Sequence, residues 1–143
     1  MDERKEEYKE GDIIEEGPWA DFEIISRYTR SQAISDGVLV DVTAQAKALR
    51  ITLPVAITDT LFNGYITPDA VAEEAGETAQ DRLRATLGMM AVAIRQAKDD
   101  SDTLFFNVQF TRHGRPHIVK IKSICGPGDN AEPVITLMLP EED

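Results

Sequence analysis

The hydrophobic period of this chain changes once, and that change constrains its fold more than any other feature. From about Ala79 to Lys98, Leu83, Leu87, Met90 and Ile94 recur at the spacing of one helical face. Asp99-Asp100-Ser101-Asp102 then forms a polar break. Beyond it, Leu104, Phe106, Val108 and Phe110 alternate with Phe105, Asn107, Gln109 and Thr111, the pattern of a strand with one buried face. A long amphipathic helix followed by alternating strands predicts a helix lying on a sheet.

The strands continue to the end of the chain. His113-Gly114 is a tight-turn signal. Pro116 to Cys125 reads as a second strand, with Val119 and Ile121 on one side and Ile118, Lys120 and Lys122 on the other. Gly126 to Asn130 reads as a loop, Val134 to Leu139 as a third strand, and Pro140 stops it. Short connections between consecutive strands favour an antiparallel meander. The expected fold is α+β, with several short helices and one long helix packed on a C-terminal three-stranded antiparallel sheet.

The short helices carry their own punctuation. Thr29 and Gln32 have the form of a capping box opening a helix from Arg30 to Asp36, which Gly37 ends. Val38 to Val42 is β-branched and reads as a strand. Thr43 caps a small helix from Ala44 to Leu49. Pro54 fits the first turn of another, running to about Phe62 and ended by Asn63-Gly64. Thr67-Pro68-Asp69 opens the next.

The chain has 143 residues, which fits one domain. The charge divides it. Ten acidic and three basic residues lie within positions 1–23, so residues 1–16 are expected to form a flexible acidic arm and 17–143 a single α+β domain. Gly17-Pro18 breaks any helix in the arm, and Trp19, Phe22, Ile24 and Ile25 would anchor it. The whole chain carries 26 acidic against 15 basic residues, a formal net charge of -11. That field repels phosphate, so direct nucleic-acid binding is not expected. A protein partner with a basic surface is.

Cys125 is the only cysteine, which excludes an intramolecular disulfide and suits a cytoplasmic setting. The start of the chain lacks an apolar signal region, and no apolar run is long enough to span a bilayer.

The candidate binding residues follow from turn and cleft chemistry. Gly126, Gly128, Asp129 and Glu132 lie in a loop longer than a hairpin needs, where glycine frees the backbone and two carboxylates reach solvent. It is no P-loop, because no Lys-Ser or Lys-Thr follows. Tyr28, Arg30, Asp36 and Asp41 are expected beside the Asp-Gly turn. Glu141, Glu142 and Asp143 form an acidic terminus suited to a basic groove. His113 and His117 are four apart, but Gly114 and Pro116 exclude a helical metal site, and a zinc site needs a further ligand. No metal or cofactor is expected. Cys125 has no activating base nearby in sequence and reads as a buried structural thiol.

Two blocks carry a resemblance. Tyr28-Thr29-Arg30-Ser31-Gln32-Ala33-Ile34-Ser35-Asp36-Gly37-Val38-Leu39-Val40-Asp41-Val42 is the first. Gly126-Pro127-Gly128-Asp129, with Glu132-Pro133-Val134-Ile135-Thr136 and Met138-Leu139-Pro140-Glu141-Glu142-Asp143, is the second. Together they resemble a family of small uncharacterised bacterial proteins common on plasmids and prophages. The resemblance implies a shared fold and a mobile-element setting, and it assigns no site. The acidic arm before Trp19 lies outside both blocks.

Three functions compete. The first is a non-enzymatic binding or inhibitor protein of a mobile element, presenting carboxylates to the basic nucleic-acid-binding surface of a host defence protein. The second is a small metal-dependent hydrolase or nucleotide-processing enzyme using Asp36, Asp41 and Asp129. The third is an accessory protein that dimerises through its sheet or its long helix.

Overall fold

A computed structural model describes residues 28–142 and, before them, only the backbone of Asp12–Ile13 and Glu23–Ile24. The proposed arm over 1–16, the anchoring side chains of Trp19, Phe22, Ile24 and Ile25, and Asp143 lie outside the described residues. Asp12–Ile13 (β1) pairs antiparallel with Glu23–Ile24 (β2) in a separate two-stranded sheet.

The main chain path then runs α1 (Arg30–Ser35), β3 (Leu39–Asp41), α2 (Thr43–Ala48), β4 (Val55–Thr58) and α3 (Asp59–Leu61). A π-helical turn over Phe62–Ile66 leads to α4 (Ala70–Glu74) and the long α5 (Ala79–Gln96). The chain ends in β5 (Thr103–Arg112), β6 (Arg115–Pro127) and β7 (Pro133–Met138).

The architecture is α+β, with a difference from the three-stranded expectation. The principal sheet has five strands in the order β3-β4-β7-β6-β5. It is mixed, because β4 and β7 run parallel with Val55 beside Ile135 and Ile57 beside Leu137. The helix expected from Pro54 to Phe62 is instead β4 over its first half. Val55, Ala56 and Ile57 are all buried, so this short apolar run is a strand covered on both faces. Pro54 precedes the strand, where its missing N–H costs nothing, and its carbonyl accepts Ile135 N–H at 2.9 Å.

Several other local signals hold, and two shift. Thr29 and Gln32 form the capping box on α1. His113 and Gly114 both take positive φ, 53° and 75°, making the two-residue turn that joins β5 to β6. Asp69 caps α4 directly, with Pro68 just outside the helix. Val42, not Thr43, is the N-cap of α2 and makes no side-chain capping bond.

α5 lies on one face of the sheet. Leu83, Leu87 and Met90 are buried against Phe106, Val108, Phe110, Ile121 and Leu137. Ser123 Oγ reaches Met90 Sδ at 4.0 Å, which places the helix over β6. Ile94 leaves the stripe and is 39% exposed. Cys125 is half-buried against this core.

Candidate functional site

A cleft of about 250 Å³ opens on the face of the sheet opposite α5. It lies between α1, the start of α2 and the loop joining β6 to β7. Arg30, Asp41, Asp129 and Glu132 line it together, four of the residues expected at a site from two distant stretches of sequence.

Asp129 is placed by the loop and engaged by the helix. Its carboxylate accepts Arg30 N–H at 2.8 Å and Ser31 N–H at 3.0 Å. Those are orphan donors of the first turn of α1, so Asp129 caps that helix from across the fold. Thr29 Oγ1 accepts Gln32 N–H at 3.0 Å, and Gln32 Oε1 accepts Thr29 N–H at 2.8 Å. The two caps together satisfy the start of a helix only six residues long.

Arg30 turns its guanidinium back over the sheet. Nη1 donates to Thr136 Oγ1 at 2.7 Å and Nη2 to the Ile135 carbonyl at 2.8 Å. Burial pushes the guanidinium below its ordinary value, while the charges of Asp41, Asp129 and Glu132 pull the other way. Half-buried and ringed by three carboxylates, it is the fixed cation of the cleft.

The remaining carboxylates have local tasks. Asp41 Oδ1 accepts the Thr43 hydroxyl at 2.6 Å and Thr43 N–H at 3.1 Å. Thr43 Oγ1 accepts Val55 N–H at 3.1 Å, tying β3, α2 and β4 at one point. Glu132 Oε1 accepts Asn130 N–H at 2.9 Å, and its carbonyl accepts Gly128 N–H. The Glu132 carboxylate packs against Gly128, where an added Cβ would lie 2.5 Å from Oε2 and would displace that side chain. Gly126 is an ordinary strand residue opposite Val134, with open space where a Cβ would stand.

Other expected site residues fall elsewhere. Tyr28 donates its hydroxyl to Asp36 Oδ2 at 2.7 Å, and both are exposed outside the cleft. That hydrogen bond, with some burial and the Asp36 charge, holds the Tyr28 phenol above its ordinary value. Asp36, Asp41 and Asp129, the trio a metal-dependent hydrolase would need, are therefore not brought together. Among the described residues no cluster of three or more His, Cys, Asp or Glu side chains is arranged to hold a metal. Glu141 is exposed, but Glu142 is not a free terminal acid. Its Oε2 accepts the Thr58 hydroxyl and Leu139 N–H, both at 2.9 Å, while Lys122 Nζ donates to the Glu142 and Pro140 carbonyls.

Sequence reasoning missed Arg82. It is only 7% exposed, inside α5. Its guanidinium donates to Glu77 Oε1 at 2.9 Å, to the Tyr65 carbonyl at 2.8 Å and to the Thr111 carbonyl at 2.7 Å. It also sits 5.7 Å from the Phe110 ring centre. The available signal was its place beside Leu83 and four before Thr86 on the apolar side of the helix, where an arginine must find acceptors.

Among the described residues no helix is long and apolar enough to cross a membrane. No curated protein and no solved structure matches the chain. The model of a family of unknown function, DUF6573, matches residues 16–143. That match takes in both blocks, the whole cleft and every strand of the principal sheet, and the chain belongs to the DUF6573 family of unknown function.

Proposed function

We propose that this chain is a binding protein that acts without turnover and holds a macromolecular partner presenting a basic surface. The observation that carries this reading is the division of its acids. Asp41, Asp129, Glu132 and Glu142 are engaged by backbone amides or hydroxyls of their own fold. Glu73, Glu74 and Asp81, on α4 and the first turn of α5, stand exposed, as does Asp100 after it. The segment 103–127 holds no acidic residue at all, so the surplus behind the net charge of -11 comes from the rest of the chain. Such a field speeds encounter with a basic partner and repels phosphate.

The resemblance of the two sequence blocks to proteins of plasmids and prophages points to the kind of partner. A nucleic-acid-handling host protein, met in the cytoplasm, would have its basic groove occupied by carboxylates standing where phosphates stand. On this reading the protein is an inhibitor in an anti-defence role.

The test starts with capture of partners from a bacterial lysate at low and at high salt. Association rates are then measured for the captured protein. The rate should fall about tenfold or more as salt rises, the scale of electrostatic steering. Neutralising Glu73, Glu74 and Asp81 together should slow it further. Salt-insensitive binding overturns the reading. So does Mg²⁺-dependent nucleotide hydrolysis by the purified chain that is lost in Asp129→Asn.

A further inference from the structure

β5 ends the sheet order β3-β4-β7-β6-β5, so one of its edges meets no strand among the described residues. Its hydrogen bonding alternates. Cys125 N–H donates to the Asp102 carbonyl at 2.8 Å, and the antiparallel register runs on from there. Leu104, Phe106, Val108 and Phe110 therefore turn their backbone groups toward β6, and the odd-numbered residues turn theirs outward. The outward row is closed at both ends. The Ser101 hydroxyl bonds both backbone groups of Thr103, and Arg82 takes the Thr111 carbonyl. Between them, the N–H and C=O groups of Phe105, Asn107 and Gln109 have no protein partner among the described residues.

This open row carries none of the features that keep edges apart. Soluble proteins blunt a long edge with charge, proline or a bulge. From Thr103 to Thr111 there is no charged residue and no proline, in a chain that is 29% charged, and the register with β6 runs without a bulge. Two copies of so acidic a chain repel over most of their surface, and a charge-free strip is where they can meet. The row is also self-complementary. With a two-fold axis at Asn107, Asn107 pairs with itself and Phe105 with Gln109, and every outward N–H finds a carbonyl.

Exposed apolar groups stand beside the row, with Lys120 Nζ 5.6 Å from the Phe105 ring centre. Phe105 is 52% exposed on the outer face. On the other face, a cleft of about 290 Å³ runs between α5 and the edge, lined by Glu77, Asp81 and Arg82 as well as Ala85, Gln109 and Phe110. Met89, 42% exposed, stands one turn along α5 from Ala85.

We infer that β5 is a self-association edge, through which two copies of this chain pair antiparallel about Asn107 and join their principal sheets into one. The occupant is a second copy, because the edge strand offers backbone hydrogen bonds centred on one residue and carries no charge of its own between Thr103 and Thr111.

The test uses the full chain. Light scattering after size exclusion, across a concentration series, should give a dimer. Added salt should tighten it by screening the like charges, the opposite of the salt response expected for the basic partner, so the two proposals fail separately. Asn107→Glu, at an exposed site facing Lys120 across the β5–β6 register, should weaken dimerisation about tenfold or more by setting like charges opposite each other at the two-fold axis, while the monomer, where the new carboxylate faces an ammonium, keeps its thermal unfolding. In a Cys125→Ser background, Asn107→Cys should form an intermolecular disulfide. Phe105→Cys should not, because its two copies lie about 13 Å apart along the strands, beyond disulfide reach. A monomer at every concentration, a dimer untouched by Asn107→Glu, or equal cross-linking at 105 and 107 overturns the inference.

Discussion

Asp129 accepts the backbone N–H of Arg30 at 2.8 Å, although 99 positions separate them in the chain. One carboxylate thus joins the β6–β7 loop to the first turn of α1, and the cleft forms where they meet. The Arg30 side chain binds the same region from the other side, through Thr136 and Ile135.

Asp129→Ala should destabilise the fold by about 0.5–2 kcal/mol, the cost of losing a helix N-cap. Asp129→Asn keeps an acceptor and should cost less. Urea titration of both variants gives the comparison, and equal losses would show that the loop, not the cap, is at stake.

Arg82→Leu should cost far more, about 3–5 kcal/mol, because it leaves Glu77 and two carbonyls without the cation that serves them. Arg82→Lys should recover only part of this, since one ammonium cannot reproduce the spread of a guanidinium. Denaturant midpoints measured for the two variants check the order.

Along α5, Leu87→Ala should cost about 2–5 kcal/mol, as expected where a fully buried leucine is cut back. Ile94→Ala, at the exposed end of the same stripe, should cost well under half as much. Similar losses at both positions in chemical unfolding would contradict the observed packing.

Asp69 accepts the N–H of His113 at 2.9 Å and caps α4 through Ala72 N–H at 2.9 Å. These bonds hold its carboxyl below the ordinary carboxylate value, with the charges of His113 and Arg82 adding to the effect. A depressed folded value contributes stability above the unfolded value of about 4 and loses it as pH falls through the folded one. Stability curves of the native chain and Asp69→Asn should therefore separate above about pH 4 and converge in more acid solution. Parallel curves through the acid limb would exclude Asp69 from the linkage.

What was legible in the sequence was local. The Thr29–Gln32 capping box, the Asp69 cap, the His113-Gly114 turn and the alternation of β5 each lie within a few residues. The run Val55-Ala56-Ile57 is too short to show a period, and Pro54 before it imitates a helix start. Its strand character comes from neighbours on both sides, one of them some eighty residues later in β7. The site divides in the same way. Arg30, Asp41, Asp129 and Glu132 were visible as turn and loop residues, but only the fold sets them around one cleft. Arg82 was hidden because its carbonyl acceptors arrive from Tyr65 and Thr111, and nothing near it in sequence announces them.

The parallel contact of β4 with β7 also sets an order of events during synthesis. β7 stands between β4 and β6, yet it is the last of the five strands to leave the ribosome. Until residues 133–138 emerge, β3–β4 and β5–β6 are two separate ribbons with apolar faces and no bond between them. The nascent chain must pass through that divided state, and there chaperones, proteases and stray pairing partners have their opportunity.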